Sequence, residues 1–445
     1  MPRRRIRDLP DLVEDSDSDE GQHIDVAFIP NEYESSDGDS DGDPNEDTLS
    51  NELPSGSYKH VKSTYTSTQK LLEPNHKYSW KNDALNDISP HVESNFNISP
   101  ISSLQSKNAL ELFEVFFSMK NHILEATSEN HFDLCMDDLE KFITIIMITI
   151  FNSRKSIRDC WSKKRILQCP VIAELMSRNN FVAIKKNIRF YKLQDTDQND
   201  KVWKVRTLYD MFRENCMQFG FFDYNLSIDE IMVKYFGRFG IKQCIRNKPI
   251  RFGIKEWALC SSDGYIYDLD IYTGKSGIDE RNPLVAVGLG SRVVIKLLST
   301  LLEKTQREEL KKYHIYFDNF FTNPDLMIHL KKNGLSATGT VRHNRVKVKV
   351  EMPKKAERGY TISMHEVNSK LNYITVMDSK PVSILSSKYG NEPKVEMQRW
   401  QESSKKSILF PHCFSMYNQH MGGVDLHDQH CNALMPTIRS KKWTW

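Results

Sequence analysis

Acidic residues at the ends of predicted elements are the side chains in this chain best suited to chemistry. Asp229 lies in NLSIDEIMV, a short apolar run that predicts a strand, and Glu230 follows it. Asp318 closes HIYF, a second predicted strand. Asp425 stands just after Gly422-Gly423, where a helix is predicted to start, and Asp428 lies three residues on, so the two share a helical face. In an open α/β sheet, sites collect where strands end. Carboxylates brought together repel, and one pKa rises unless a cation neutralises them. Mg²⁺ or Mn²⁺ suits that task because both prefer carboxylate oxygen. Two such ions about 4 Å apart activate an attacking oxygen and stabilise the leaving one in an in-line displacement at phosphorus. That chemistry requires acids drawn from separate segments, as these are.

A basic ribbon follows Asp229, with Lys242, Arg246, Lys248, Arg251 and Lys255. Of these, Lys248, Arg251 and Lys255 are placed to hold backbone phosphates. The plainer reading of the stretch by itself is a half-buried Asp beside a solvated basic face. The net charge of +2 conceals an asymmetry. Residues 1–60 hold 17 acidic and 5 basic residues, a balance of −12, which leaves +14 on residues 61–445. A basic body with an acidic arm reads as a nucleic-acid binder, although charge alone also fits acidic protein partners or anionic lipid.

Length and composition fit a globular protein of two or three domains: 445 residues, 39% hydrophobic and 10% aromatic. The longest apolar run, Phe142 to Phe151, is too short to cross a bilayer, and MPRRRIRDLP has no apolar core of a secretory signal. Its arginines suit a nuclear address. The eight cysteines form no C-x2-C pair, which argues against a disulfide framework or a zinc ribbon and for a reducing compartment. His412, Cys413, His420, His427, His430 and Cys431 cluster near the end with spacing poor for zinc.

The elements that must position the acids follow from periodicity. Residues 1–104, with EDSDSDE and ESSDGDSDGDPNED, lack the apolar surface to offset ordering entropy and predict a disordered acidic tail. Residues 105–224 predict an all-helical domain. Its helices fall near Leu112–Ile123, from Asp137 with Glu140 as capping partner, and over 155–165, 170–190 and 205–219. Strands begin at Asn225. IRFGIKEWALC and YIYDLDIYTG predict a hairpin turned by SSDG, a helix spans 291–311, Asn323-Pro324 starts another that Gly334 stops, and SATGTV is a strand. This is an α/β pattern over 225–341. Residues 342–410 predict a β-rich insertion with strands VKVKVEM, GYTISMHE, LNYITVMD and PVSILSSKYG, and residues 411–445 return to the core.

The segments IDEIMVKYFGR, IRNKPIRFGIK, YFDNFFTN, ATGTVRHNR and YNQHMGGVDLHDQ, in this order, resemble the piggyBac transposases and the host proteins derived from them. The likeness extends through DCWS around Trp161 and MSRNNF at 176–181, and covers about residues 105–445. The resemblance implies an RNase H-like catalytic core with a β-rich insertion and a helical dimerisation and DNA-binding domain. It implies Mg²⁺- or Mn²⁺-dependent cutting and joining of double-stranded DNA, at transposon ends and TTAA targets, by a nuclear homodimer. Asp229, Asp318 and Asp425 match the family's catalytic aspartates, Asp428 a further metal-proximal acid, and Arg342 and Arg345 a basic pair that meets target DNA. The family continues past its last aspartate into further helices and a Cys/His-rich zinc module, whereas this sequence stops at Trp445. The expectation therefore divides between an active DNA transposase and a DNA-binding derivative without turnover, with a decayed gene product as a third reading.

Overall fold

A computed structural model of the chain describes residues 77–82, 99–436 apart from 198, 246–249, 275–287, 347, 349 and 402, and residue 444. Most of the predicted acidic tail thus lies outside the described residues. Two pieces of 1–104 are nonetheless ordered: a 3-10 turn, Ser99–Leu104, and strand β1 (Trp80–Lys81), where the Trp80 ring meets Tyr373 edge-on at 5.9 Å.

The helical block comprises α1 (Ala109–Phe116), α2 (Lys120–Ser128), α3 (Met136–Phe151), α4 (Pro170–Leu175), α5 (Arg178–Asn187) and α6 (Trp203–Met217). Asn108 and Glu111 form a reciprocal capping box that starts α1. Helix α3 starts one residue before Asp137, because the Cys135 sulfur accepts the Asp138 N–H while Asp137 and Asp138 both occupy the positive first turn. The single helix predicted over 170–190 is two, since the Ser177 side chain accepts the Asn180 N–H and starts a new one. Leu139, Phe142, Ile145, Ile172, Phe181 and Ile184 form the block's own buried core. Among the described residues no helix is long and apolar enough to cross a membrane.

Strands β2 (Asn225–Lys234), β3 (Gln243–Cys244), β4 (Phe252–Ser261) and β5 (Ile266–Ile271) come next. The chain continues through α7 (Leu289–Leu297), α8 (Ser299–Lys304), α9 (Arg307–Leu310), β6 (His314–Phe317), α10 (Pro324–Lys332), β7 (Ser336–Thr340) and α11 (His343–Val346). Then follow β8 (Thr361–Glu366), β9 (Asn372–Met377), β10 (Pro381–Ser386), β11 (Lys394–Gln401), β12 (Ser404–Pro411), α12 (His412–His420) and α13 (Gly423–Ala433). The main sheet runs β1-β8-β9-β10-β7-β6-β2-β4-β3, with β5 also on β4. Strands β2, β6 and β7 are mutually parallel, and β4 runs antiparallel to β2. The β4–β5 hairpin forms over the predicted SSDG turn.

The strands expected over 342–410 join the main sheet: β10 pairs with β7 and lengthens it, while among the described residues the β11–β12 ribbon stands apart. Two further expectations need correction. The described part of VKVKVEM is no strand; Val346 ends α11, and 348 and 350–352 have no regular structure. The helix predicted over 291–311 is three short ones, divided at Leu298 and at an extended Thr305.

Both sheet faces are covered. Leu226, Ile228, Trp257 and Leu259 face α7 and α10 through Val294, Leu297, Leu326 and Leu330. On the opposite face, Ile231, Ala258 and Cys260 meet Val424 of α13 and Cys216 of α6. Tyr316, Ile374 and Ile384 meet Cys413 and Phe414 of α12 there. Helix α6 fastens the helical block to this face, with Arg213 paired to Asp268 and the Tyr209 hydroxyl donating to Glu256. Burial pushes the Glu256 carboxyl up from 4.5 to about 7, against the Tyr209 bond and with help from Asp270 and Asp428.

Gly423 lets α13 lie on the sheet. A Cβ there would stand 2.1 Å from the Ser261 carbonyl oxygen and 2.6 Å from the Ser227 hydroxyl. A backbone carbonyl cannot swing aside to admit it. Gly423→Ala is therefore expected to lose roughly 1–3 kcal/mol net, read as a lower melting temperature; an unchanged melt would contradict the packing. A second expectation concerns pH. Because the folded Glu256 pKa lies above its unfolded value, the native state keeps a proton between about pH 4.5 and pH 7 that the unfolded chain has released. That contribution is full below about pH 4.5 and is lost as pH rises through about 7. Glu256→Gln should accordingly raise the melting temperature relative to the parent at pH 8 and converge with it near pH 4; a difference independent of pH would refute this.

Candidate catalytic carboxylate site

Strand register sets the first two acids side by side. Ile228 of β2 pairs with Phe317 of β6, and Phe317 pairs with Gly339 of β7. Continued by one residue past the end of β6, that register aligns Asp229, Asp318 and Thr340 in a row, with neighbouring strands about 4.8 Å apart. Side chains alternate along a strand. Ile228 and Phe317 face α7 and α10, so Asp229 and Asp318 face the other side, where α12 and α13 lie. Strands β6 and β7 end at this row, while β2 runs on to Lys234.

Helix α13 supplies the third acid. It packs over β2 and β4, with Val424 buried against Ile231 and Ala258. Asp425 occupies its first turn and is exposed, a position the helix dipole favours for an anion. Asp428, one turn on, is half-buried and lies near enough to Glu256 to raise its pKa. The helix is held at a second point, where the His427 ring nitrogen Nδ1 stands 3.1 Å from the Gly264 carbonyl oxygen.

The carboxylates are oriented by their own backbone. Asp229 accepts the Glu230 N–H at 2.8 Å, and Asp318 accepts the Phe320 N–H at 2.8 Å. A hydroxyl lies on the same side of the sheet. Tyr417 of α12 stands 3.4 Å from the Thr340 hydroxyl, at the end of the row. Burial pushes the Tyr417 phenol up, the Thr340 bond opposes this, and Asp318, Asp229 and Asp425 all push it further up. Acids from three segments thus lie near enough to Tyr417 to influence its ionisation.

The basic residues divide. Arg251 and Arg342 are exposed, and Arg342 also donates to the Asn319 side chain at 3.2 Å. Arg345 is turned inward: its Nη1 donates to the carbonyls of Asn319 and Phe320 at 2.7 Å each and of Thr322 at 3.1 Å. It pins the loop that follows Asp318. Lys255 pairs with Glu230 and lies 4.0 Å from the centre of the Trp257 ring. Lys248 lies outside the described residues. The late His and Cys residues do not assemble: His427 and Cys431 are 3.4 Å apart, His412 and Cys413 are on α12, and the described residues contain no group of three or more His, Cys, Asp or Glu side chains arranged to hold a metal.

Sequence reading missed Tyr417 and Glu256. Tyr417 opens YNQHMGGVD, the motif singled out for its aspartates, so proximity in the motif was the available signal. Glu256 looked like an ordinary strand acid; its burial follows from α6, which no local pattern reveals.

The comparisons with known proteins agree with this architecture. A family model described as Transposase IS4 matches residues 108–445. The chain is 33% identical over 341 residues to PiggyBac transposable element-derived protein 3 of Homo sapiens, covering 75% of this chain and 56% of that protein. It is 28% identical over 377 residues to PiggyBac transposable element-derived protein 2 of Homo sapiens, covering 82% and 62%. The chain thus spans less than two thirds of the length of either relative. A piggyBac transposase, solved by cryo-EM in a synaptic complex with hairpin DNA, superposes with a TM-score of 0.62 at 23% identity, over 77% of this chain and 72% of that one, a likeness of fold. The matched family model, the two relatives and the shared fold agree: this chain belongs to the piggyBac family of transposases and transposable element-derived proteins.

Proposed function

We propose that this chain cuts and joins double-stranded DNA by in-line displacement at phosphorus, on an RNase H-like core, with Asp229, Asp318 and Asp425 as catalytic residues. The observation that supports this is the row at the ends of β6 and β7, which Asp229 joins from within β2, with Asp425 in the first turn of α13, the helix packed on β2 and β4. The RNase H-like reading is supported by antiparallel β2, β4 and β5 followed by parallel β6 and β7 around α10.

The donor set fits a hard divalent cation, since it consists of carboxylate oxygens alone. No three described side chains form a closed cage, and Mg²⁺ is commonly held by one or two carboxylates completed by water and substrate phosphate. Asp229 and Asp318 would share one Mg²⁺ or Mn²⁺, and Asp229 with Asp425 or Asp428 would hold a second. When bound, these ions supply charge neutralisation and polarise the oxygens of the scissile phosphodiester. The residues themselves set the geometry. Backbone N–H bonds aim Asp229 and Asp318, and Arg345 holds the Asp318 loop rigid. Exposed Arg251 and Arg342 are placed to meet backbone phosphates, as is Lys248 by sequence; Lys255 can do so only by leaving Glu230.

Double-stranded DNA as partner is supported by the structural relative in complex with hairpin DNA and by the balance of +14 on residues 61–445. Transposon ends and TTAA targets, a homodimer and a nuclear site of action complete the reading. The open acid cluster keeps a second reading in play, a DNA-binding derivative without turnover. One experiment separates them. Asp318→Ala is expected to abolish Mg²⁺-dependent nicking of a duplex while retaining the parent's salt-dependent gel shift. Equal nicking by the variant would end the assignment; a parent that binds steeply with salt yet never nicks in Mg²⁺ or Mn²⁺ would establish the binder.

A further inference from the structure

We infer that Tyr417 is a catalytic hydrogen-bond donor, its hydroxyl holding a non-bridging oxygen of the phosphodiester that lies over Asp229, Asp318 and Asp425. The inference rests on the DNA-cleavage reading above and adds to it a residue outside the carboxylate set.

Position is the first argument. On α12, Phe414, Tyr417 and His420 recur at a spacing of three and share the helix face turned to the sheet. Phe414 is buried in the core beneath, and the His420 ring lies over Tyr316 at 5.2 Å. Tyr316 points to that same face two residues before Asp318. The helix is therefore anchored on both sides of Tyr417, and the phenol reaches the strand ends, where it meets Thr340. Thr340 occupies the rung that holds Asp229 and Asp318.

Chemistry is the second argument. Ionised carboxylates accept hydrogen bonds and donate none. Arg345 spends its Nη1 on carbonyls of the Asp318 loop, and Arg342 donates to the Asn319 side chain of that loop. Tyr417 adds a neutral donor on the row of acids itself. Its bond to Thr340 is long at 3.4 Å, so the hydroxyl is not locked to that partner. A phenol is protonated at neutral pH, as a donor must be. No proton leaves Tyr417 in this role; it stabilises charge that grows on the phosphoryl oxygen during displacement.

The test uses the full chain and a duplex with one scissile phosphate, in Mg²⁺ under single-turnover conditions. Tyr417→Phe should cleave about 10- to 100-fold more slowly, the range for a lost hydrogen bond to a charged group, with unchanged melting temperature and duplex affinity. A merely structural role is separated by sulfur substitution at each non-bridging oxygen in turn. For one diastereomer the penalties of sulfur and of Tyr417→Phe should fail to multiply, because both remove the same contact. A variant that cleaves at the parent rate, or whose penalty multiplies with sulfur at both positions, overturns the proposal while leaving the carboxylate assignment intact. A parent that does not cleave overturns the DNA-cleavage reading and, with it, this role.

Discussion

The close approach of α13 to the sheet at Gly423 is the constraint on which the candidate site depends. Asp229 and Asp318 are fixed relative to each other by strand register, which any well-formed sheet of this order would deliver. Asp425 has no such guarantee. It comes from more than a hundred residues further along, on a helix that must lie almost backbone to backbone on β2 and β4. Only a residue without a side chain allows that, and the β4–β5 turn repeats the arrangement. A Cβ on Gly264 would stand 3.2 Å from the His427 backbone nitrogen, and its φ of +90° is strained for other residues. With Val424 buried between these two contacts, the helix has one seat.

Charge is distributed by what the fold uses for itself and what it leaves exposed. The basic run after Asp229 looks uniform in sequence, yet its members differ in role. Lys255 is held under Glu230 against Trp257 and Phe320, Arg345 ties the Asp318 loop together, and Arg251 and Arg342 face solvent. Arginine suits the stapling task because its fork of donors can satisfy several carbonyls at once. The helical block is coupled to the same region, since Tyr209 and Arg213 of α6 bond to Glu256 and Asp268 on strands flanking the site. Loosening α6 would therefore reach the carboxylates through the sheet.

Much of this was legible in the sequence, for definite reasons. The apolar run NLSIDEIMV, the SSDG turn, Pro324 after the Asn323 cap and Gly334 at φ +94° are local signals, and local physics decided them. Asp318 and Asp425 could be picked out because one follows the end of a strand and the other opens a helix, and Asp229 because it interrupts an apolar strand. What escaped depends on contacts remote in sequence. Whether β8 to β10 form a sheet of their own or extend another is settled by β10 pairing with β7, and the residues themselves do not encode it. The β11–β12 ribbon is polar along most of its length and carries little apolar alternation. Leu298 and Thr305 break a helix without Gly or Pro to announce it. Tyr417 looks like core until register places Thr340 beside Asp318.

The central claim is that Asp229, Asp318 and Asp425 serve one site. Electron paramagnetic resonance of Mn²⁺ bound to the full chain, with a short duplex present, addresses it without relying on turnover. If the acids act together, Asp229→Asn, Asp318→Asn and Asp425→Asn should each weaken Mn²⁺ binding at least about tenfold, a loss seen even when outer-shell partners are removed. Mn²⁺ affinity unchanged in Asp425→Asn, with the other two impaired, would mean that α13 contributes no ligand and that the three carboxylates are not one site.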